Sequence, residues 1–106
     1  MGEDTKKKSG QQRDTKVLDR TQRPQRYRVI LHNDDFTPRG FVVQVLAEVF
    51  HLPQVTASSI MMVVHTTGRG VVGTYSREIA EAKSTRCNKI SREFGFPMTT
   101  SIEVEQ

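Results

Sequence analysis

The chain has 106 residues, with 16 Lys and Arg against 12 Asp and Glu, a formal net charge of +4 and 35% hydrophobic residues, enough for one small domain and no more. A single cysteine, Cys87, excludes an intramolecular disulfide and any multi-cysteine metal site. No apolar run approaches a membrane span, and the N-terminus lacks the hydrophobic segment of a secretory signal, so a cytoplasmic protein without membrane association is expected.

Residues 1–25 hold only Met1, Val17 and Leu18 as hydrophobes. They cannot bury enough apolar surface to offset the entropy of ordering, and read as a flexible basic arm. That arm supplies most of the net charge, since residues 26–106 carry nine bases against eight acids. A basic chain invites a nucleic-acid reading, but the folded part interleaves both signs and shows no basic patch with aromatics between. No nucleic-acid partner is expected.

Within 26–106 the elements follow in order. Tyr27–Leu31 alternates as a strand, with Tyr27, Val29 and Leu31 on one face. Thr37 reads as the N-cap and Pro38 as the first residue of a helix running to about Phe50, whose apolar stripe is Val42, Val45, Leu46 and Val49. Pro53 precedes a second helix over Val55–His65, with Ala57, Ile60, Met61 and Val64 inward and Gly68 as its left-handed terminator. Val71–Tyr75 is a short strand. Ser76 caps a third helix with Glu78 in its first turn and Ala80, Cys87, Ile90 and Phe94 as its inner stripe, ended by Gly95 and Pro97. A last strand runs from Met98 to Glu105. The order β-α-α-β-α-β predicts an α+β, two-layer domain: a three-stranded, mainly antiparallel sheet with three helices on one face.

One stretch carries chemistry. Asn33-Asp34-Asp35-Phe36-Thr37-Pro38 packs an amide and two carboxylates into a turn, and Val64-His65 follows about thirty residues later at the end of an apolar helix. Acidic turns are common, and a lone histidine at a helix end is usually a cap or a surface residue. Acid, amide and imidazole beside an apolar wall nevertheless suit a ligand cationic at one end and greasy at the other. Taking a cation out of water requires charged or strongly dipolar acceptors, such as Asp34 and the Asn33 carboxamide. His65 can accept only when neutral. No Ser-His-Asp logic, phosphate loop or spaced metal-ligand motif accompanies these residues, so the chain is not read as an enzyme and neither a metal nor a cofactor is expected.

These segments together resemble the ClpS adaptor family, which delivers N-end-rule substrates to a AAA+ unfoldase of the ClpA type. The likeness runs through Tyr27 to Leu31, the Asn33–Pro38 string, Phe41-Val42, Met61, Val64-His65, Gly68, Gly73, Glu78, Ala80-Glu81, Lys83 and Phe96-Pro97, in order and without a gap. It implies an adaptor, with 26–106 as its core domain, that binds proteins beginning with Phe, Tyr, Trp or Leu. By resemblance, Asn33, Asp34 and His65 hold the α-amino group and Thr37 helps to form the rim. Val42, Val43, Met61, Val64 and Met98 wall the side-chain pocket. Glu78 and Lys83, on another surface, dock on the unfoldase, and the adaptor is expected to be a monomer.

The family commonly has Met-Glu after Thr-Pro, where this chain has Arg39-Gly40. The methionine is a rim residue. A guanidinium in its place disfavours a nearby ammonium yet can stack on an aromatic ring, so a preference for aromatic over aliphatic first residues is expected. A non-binding scaffold of related fold, like the ribosomal stalk-type domain, stays open at this point.

Overall fold

The computed structural model describes residues 24–106; the expected N-terminal arm therefore lies, but for Pro24 and Gln25, outside the described residues. The alternating run after Pro24 forms strand β1, Arg26–His32. It is the central strand, paired antiparallel on one side with β2, Arg69–Ser76, and on the other with β3, Thr99–Val104. Both pairings are antiparallel, and the β2–β1 register shifts at Val29/Ile30. Tyr27, Val29 and Leu31 alternate onto one face, where Tyr75 and Ile102 are their cross-strand neighbours.

That face is covered by α1 (Arg39–Phe50), α2 (Gln54–Thr67) and α3 (Arg77–Glu93), giving the two-layer β-α-α-β-α-β architecture. The core holds Val29 and Leu31 from the sheet, Val45, Leu46, Val49 and Phe50 from α1, Ala57 and Val64 from α2, and Ala80 and Cys87 from α3. Burial pushes the Cys87 thiol up to about 11, which leaves it protonated and inert.

Helix boundaries follow from local chemistry. Gly68 ends α2 at φ 97°, with its N–H on the Val64 carbonyl, the left-handed terminator its sequence predicts. Ser76 caps α3, its hydroxyl accepting from the Ile79 N–H. Two expectations are corrected. Thr37 is not the cap of α1: the cap position falls on Pro38, in extended backbone with no side-chain bond, because the Thr37 hydroxyl is committed to Asp34. Phe94 is not on the inner stripe of α3: it terminates the helix, is 64% exposed and packs on Phe41 at 5.2 Å between ring centroids.

The buried face of α3 is instead Ala80, Ser84, Cys87 and Ser91. Its polar members are satisfied, as burial requires. Ser84 Oγ lies 2.6 Å from Thr100 Oγ1, and Ser91 Oγ donates to the Cys87 carbonyl at 3.0 Å. Asn88 extends this seam: its Oδ1 accepts from the Thr100 N–H at 2.7 Å and its Nδ2 donates to the Thr100 carbonyl at 3.1 Å. A carboxamide thus acts as an extra ladder rung that clamps β3, and the adjoining Met98, against α3.

Candidate functional site

The loop from β1 to α1 is organised by one carboxylate. Asp34 Oδ1 accepts from the N–H groups of Phe36 (2.8 Å) and Thr37 (2.7 Å), and Oδ2 accepts from the Thr37 hydroxyl (2.9 Å). This closes an Asx turn. A carboxylate offers roughly four acceptor directions; three are filled, and the one left over is on Oδ2. The Asn33 N–H donates to the Gly68 carbonyl at 3.0 Å, which ties this loop to the turn that ends α2.

His65 lies in the last turn of α2. Its Nε2 is 2.7 Å from Arg39 Nη2, at the start of α1. A guanidinium has donors and no acceptor, so Nε2 must carry the lone pair. That assignment places the ring proton on Nδ1. The contact spans the mouth of a cavity of about 170 Å³.

The cavity mouth is polar, built by Asn33, Asp34, Asp35, Thr37, Arg39 and His65, and its depth is apolar, built by Leu31, Val42, Met61, Val64 and Met98. Leu31, Val64 and Met98 are buried while Arg39 and His65 are exposed, so the polarity gradient runs from water to core. An enclosed apolar cavity of about 150 Å³ admits a benzene ring, and this cavity, its polar mouth included, is of similar size. Gly70 contributes by having no side chain, since a Cβ there would lie 2.9 Å from Val64 Cγ2 and displace it.

Asn33, Asp34, Thr37, Arg39, Val42, Met61, Val64, His65 and Met98 therefore converge on one cavity from positions across the chain. Val43 does not join them. It lines a second, more open groove with Gly40, Gln44, Ala47, Glu48, Gln54 and Ser58, and only Arg39 and Met61 belong to both. One position along a helix turns a side chain by about 100°, enough to move it from one groove to the next. Leu31, His32 and Asp35 line the cavity without having been anticipated as site residues. The alternation that carries Leu31 to the helix-covered face was the available signal for it. His32 is half-buried, and its Nε2 also lies 2.7 Å from Ser101 Oγ on β3.

Glu78 is exposed in the first turn of α3. Lys83 is half-buried: Nζ donates to the Val49 carbonyl at 3.0 Å and lies 5.8 and 5.5 Å from the centroids of the Phe50 and Tyr75 rings. Its charge thus sits at the negative end of α1, between two aromatic faces. Among the described residues no group of three or more His, Cys, Asp or Glu is arranged to hold a metal ion, and no helix is long and apolar enough to cross a membrane.

A family model described as ATP-dependent Clp protease adaptor protein ClpS matches residues 22–101. Proteins named ATP-dependent Clp protease adapter protein ClpS are similar to it. The one from Hydrogenovibrio crunogenus is 47% identical over 81 residues, 76% of this chain and 78% of that protein. The one from Desulforapulum autotrophicum is 43% identical over 95 residues, 90% and 91% of the two chains. The solved structure of Agrobacterium tumefaciens ClpS2 bound to L-phenylalaninamide aligns with a TM-score of 0.77 at 42% identity, covering 78% of this chain and all of that one.

Proposed function

This chain belongs to the ClpS family of Clp protease adaptors, and we propose that it recognises proteins by a free α-amino group carried on a large hydrophobic first residue. As a member of that family it serves a protease without being the catalyst. The observation that carries the proposal is the cavity itself: acceptors at its mouth and apolar side chains in its depth. The related A. tumefaciens protein binds L-phenylalaninamide, a ligand with a free amine and a benzyl side chain and little else, which supports the same reading here.

In this reading the α-ammonium donates to the unfilled direction of Asp34 Oδ2, to the Asn33 carboxamide oxygen and to His65 Nε2. The first side chain enters between Val42, Met61, Val64 and Met98 and contributes about 1.5–3 kcal/mol through burial. Thr37 holds the Asp34 carboxylate in place. Acetylation of the amine removes the charge and adds bulk where the acceptors stand. Substrates are then delivered to a ClpA-type AAA+ unfoldase, with exposed Glu78 and the neighbouring surface of α3 as its docking site. Lys83 supports that surface from beneath as well as contributing to it, and the adaptor acts as a monomer. Arg39 at the rim biases the pocket toward Phe, Tyr and Trp over Leu.

Fluorescence anisotropy with peptides differing only at their first residue tests this. Tight binding of Phe-, Tyr- and Trp-led peptides, weaker binding of Leu and none of Gly or Asp are expected. A flat response across all first residues contradicts the reading.

A further inference from the structure

The Arg39–His65 hydrogen bond places a resident cation on an acceptor that a bound α-ammonium would use. His65 Nε2 has one lone pair, and Arg39 Nη2 occupies it at 2.7 Å. The two donors are mutually exclusive. Arg39 is also the first residue of α1, where the positive end of the helix gives a cation no help. It stands on the ridge between the cavity and the neighbouring groove. Beside it, Gly40 leaves open space, with nothing within 4 Å of where a Cβ would be. A displaced guanidinium therefore has somewhere to go, and both partners are exposed, so solvent screening keeps the bond easy to exchange.

We propose that Arg39 is a specificity-determining internal competitor: it holds the His65 acceptor in the free protein, and a substrate must displace it to seat its amine. This rests on the amine-recognition reading above and extends it to the selection of the first side chain. Every substrate meets the same displacement cost. An aromatic first residue returns part of it, because the freed guanidinium can lie over the ring at the cavity mouth. Leucine offers no ring face, so its displacement goes uncompensated. Discrimination between aromatic and aliphatic starts thus arises at the rim, from the fate of one cation, and not from the shape of the cavity floor.

The test is Arg39→Met, which keeps a long apolar stem and removes the donors. In anisotropy titrations the variant should bind a Leu-led peptide roughly three- to tenfold more tightly than the parent does, the worth of one solvent-exposed hydrogen bond whose charge is screened. Its affinity for a Phe-led peptide should change less than threefold, so the preference narrows. A second readout needs no ligand: nitrogen-detected NMR of the free parent protein should find the His65 proton on Nδ1, with Nε2 gaining proton occupancy in Arg39→Met. Equal or weaker Leu binding by the variant, or a parent His65 protonated on Nε2, overturns the proposal. If free and acetylated peptides bind alike in both proteins, amine recognition itself fails and the competitor role with it. Amine dependence with an unchanged Phe-to-Leu ratio sinks the competitor role alone.

Discussion

Asp34 closes the β1–α1 loop and, on the proposed reading, also accepts from the ligand; one substitution separates the two roles. In Asp34→Asn the carboxamide oxygen can replace Oδ1 and still accept from the Phe36 and Thr37 N–H groups. Those two donors also fix which way round the amide sits. The amide nitrogen then replaces Oδ2, where the Thr37 hydroxyl can rotate from donating to accepting. The turn survives, since Asn closes Asx turns as Asp does, and stability should fall by less than about 1 kcal/mol. The mouth, however, exchanges an anionic acceptor for a donor. Hydrogen bonds to charged groups are worth about 1.5–3 kcal/mol, so a Phe-led peptide should bind roughly ten- to hundredfold more weakly. Asp34→Ala removes all three loop bonds and should cost about 2–4 kcal/mol of stability as well. Urea unfolding and peptide anisotropy on both variants distinguish the effects. Asp34→Asn binding within twofold of the parent would refute the assignment of the amine to this carboxylate.

Other consequences are open to direct measurement. Asn88→Ala deletes the side-chain rung to Thr100 and should lower stability by about 2 kcal/mol, a fall in Tm of roughly 10 °C; an unchanged melting curve would show that the seam between α3 and β3 contributes nothing. Lys83→Met loses the Val49 carbonyl bond and both ring contacts and should cost about 1–2 kcal/mol in urea unfolding. Any loss of unfoldase docking in that variant has to be scored on protein shown to be folded. His65 lines the cavity together with Arg39, Asp34, Asp35 and His32, and His65→Ala takes an acceptor from the proposed amine site. A Phe-led peptide should then bind roughly three- to tenfold more weakly, and an unchanged affinity would remove His65 from amine binding.

Much of this architecture is written in local pattern. Gly68 and Ser76 announce the end of α2 and the start of α3 through backbone requirements that few other residues meet. Alternation in β1 and the stripe Val45, Leu46 and Val49 identify the faces that meet in the core. Failures occur where a side chain chooses between partners. Thr37 looks like a cap until Asp34 takes its hydroxyl. Ser84, Asn88 and Ser91 carry no apolar signal, because what seats them is hydrogen-bond partners on β3 or within α3 itself. Val43 lies in an apolar run, and periodicity alone does not say which groove a half-buried position faces. Arg39 and His65 are 26 residues apart, and nothing in either segment hints at the other. Convergence of the Asn33–Pro38 loop with Val64-His65 was legible only through the family resemblance.

The central claim is that a charged chain start is what this cavity holds. Isothermal titration of one Phe-led peptide, with its N-terminus free and then acetylated, addresses it directly. Acetylation should weaken binding at least roughly a hundredfold, the loss of charge-assisted bonds worth about 3 kcal/mol together. Equal affinities for the two forms would contradict it.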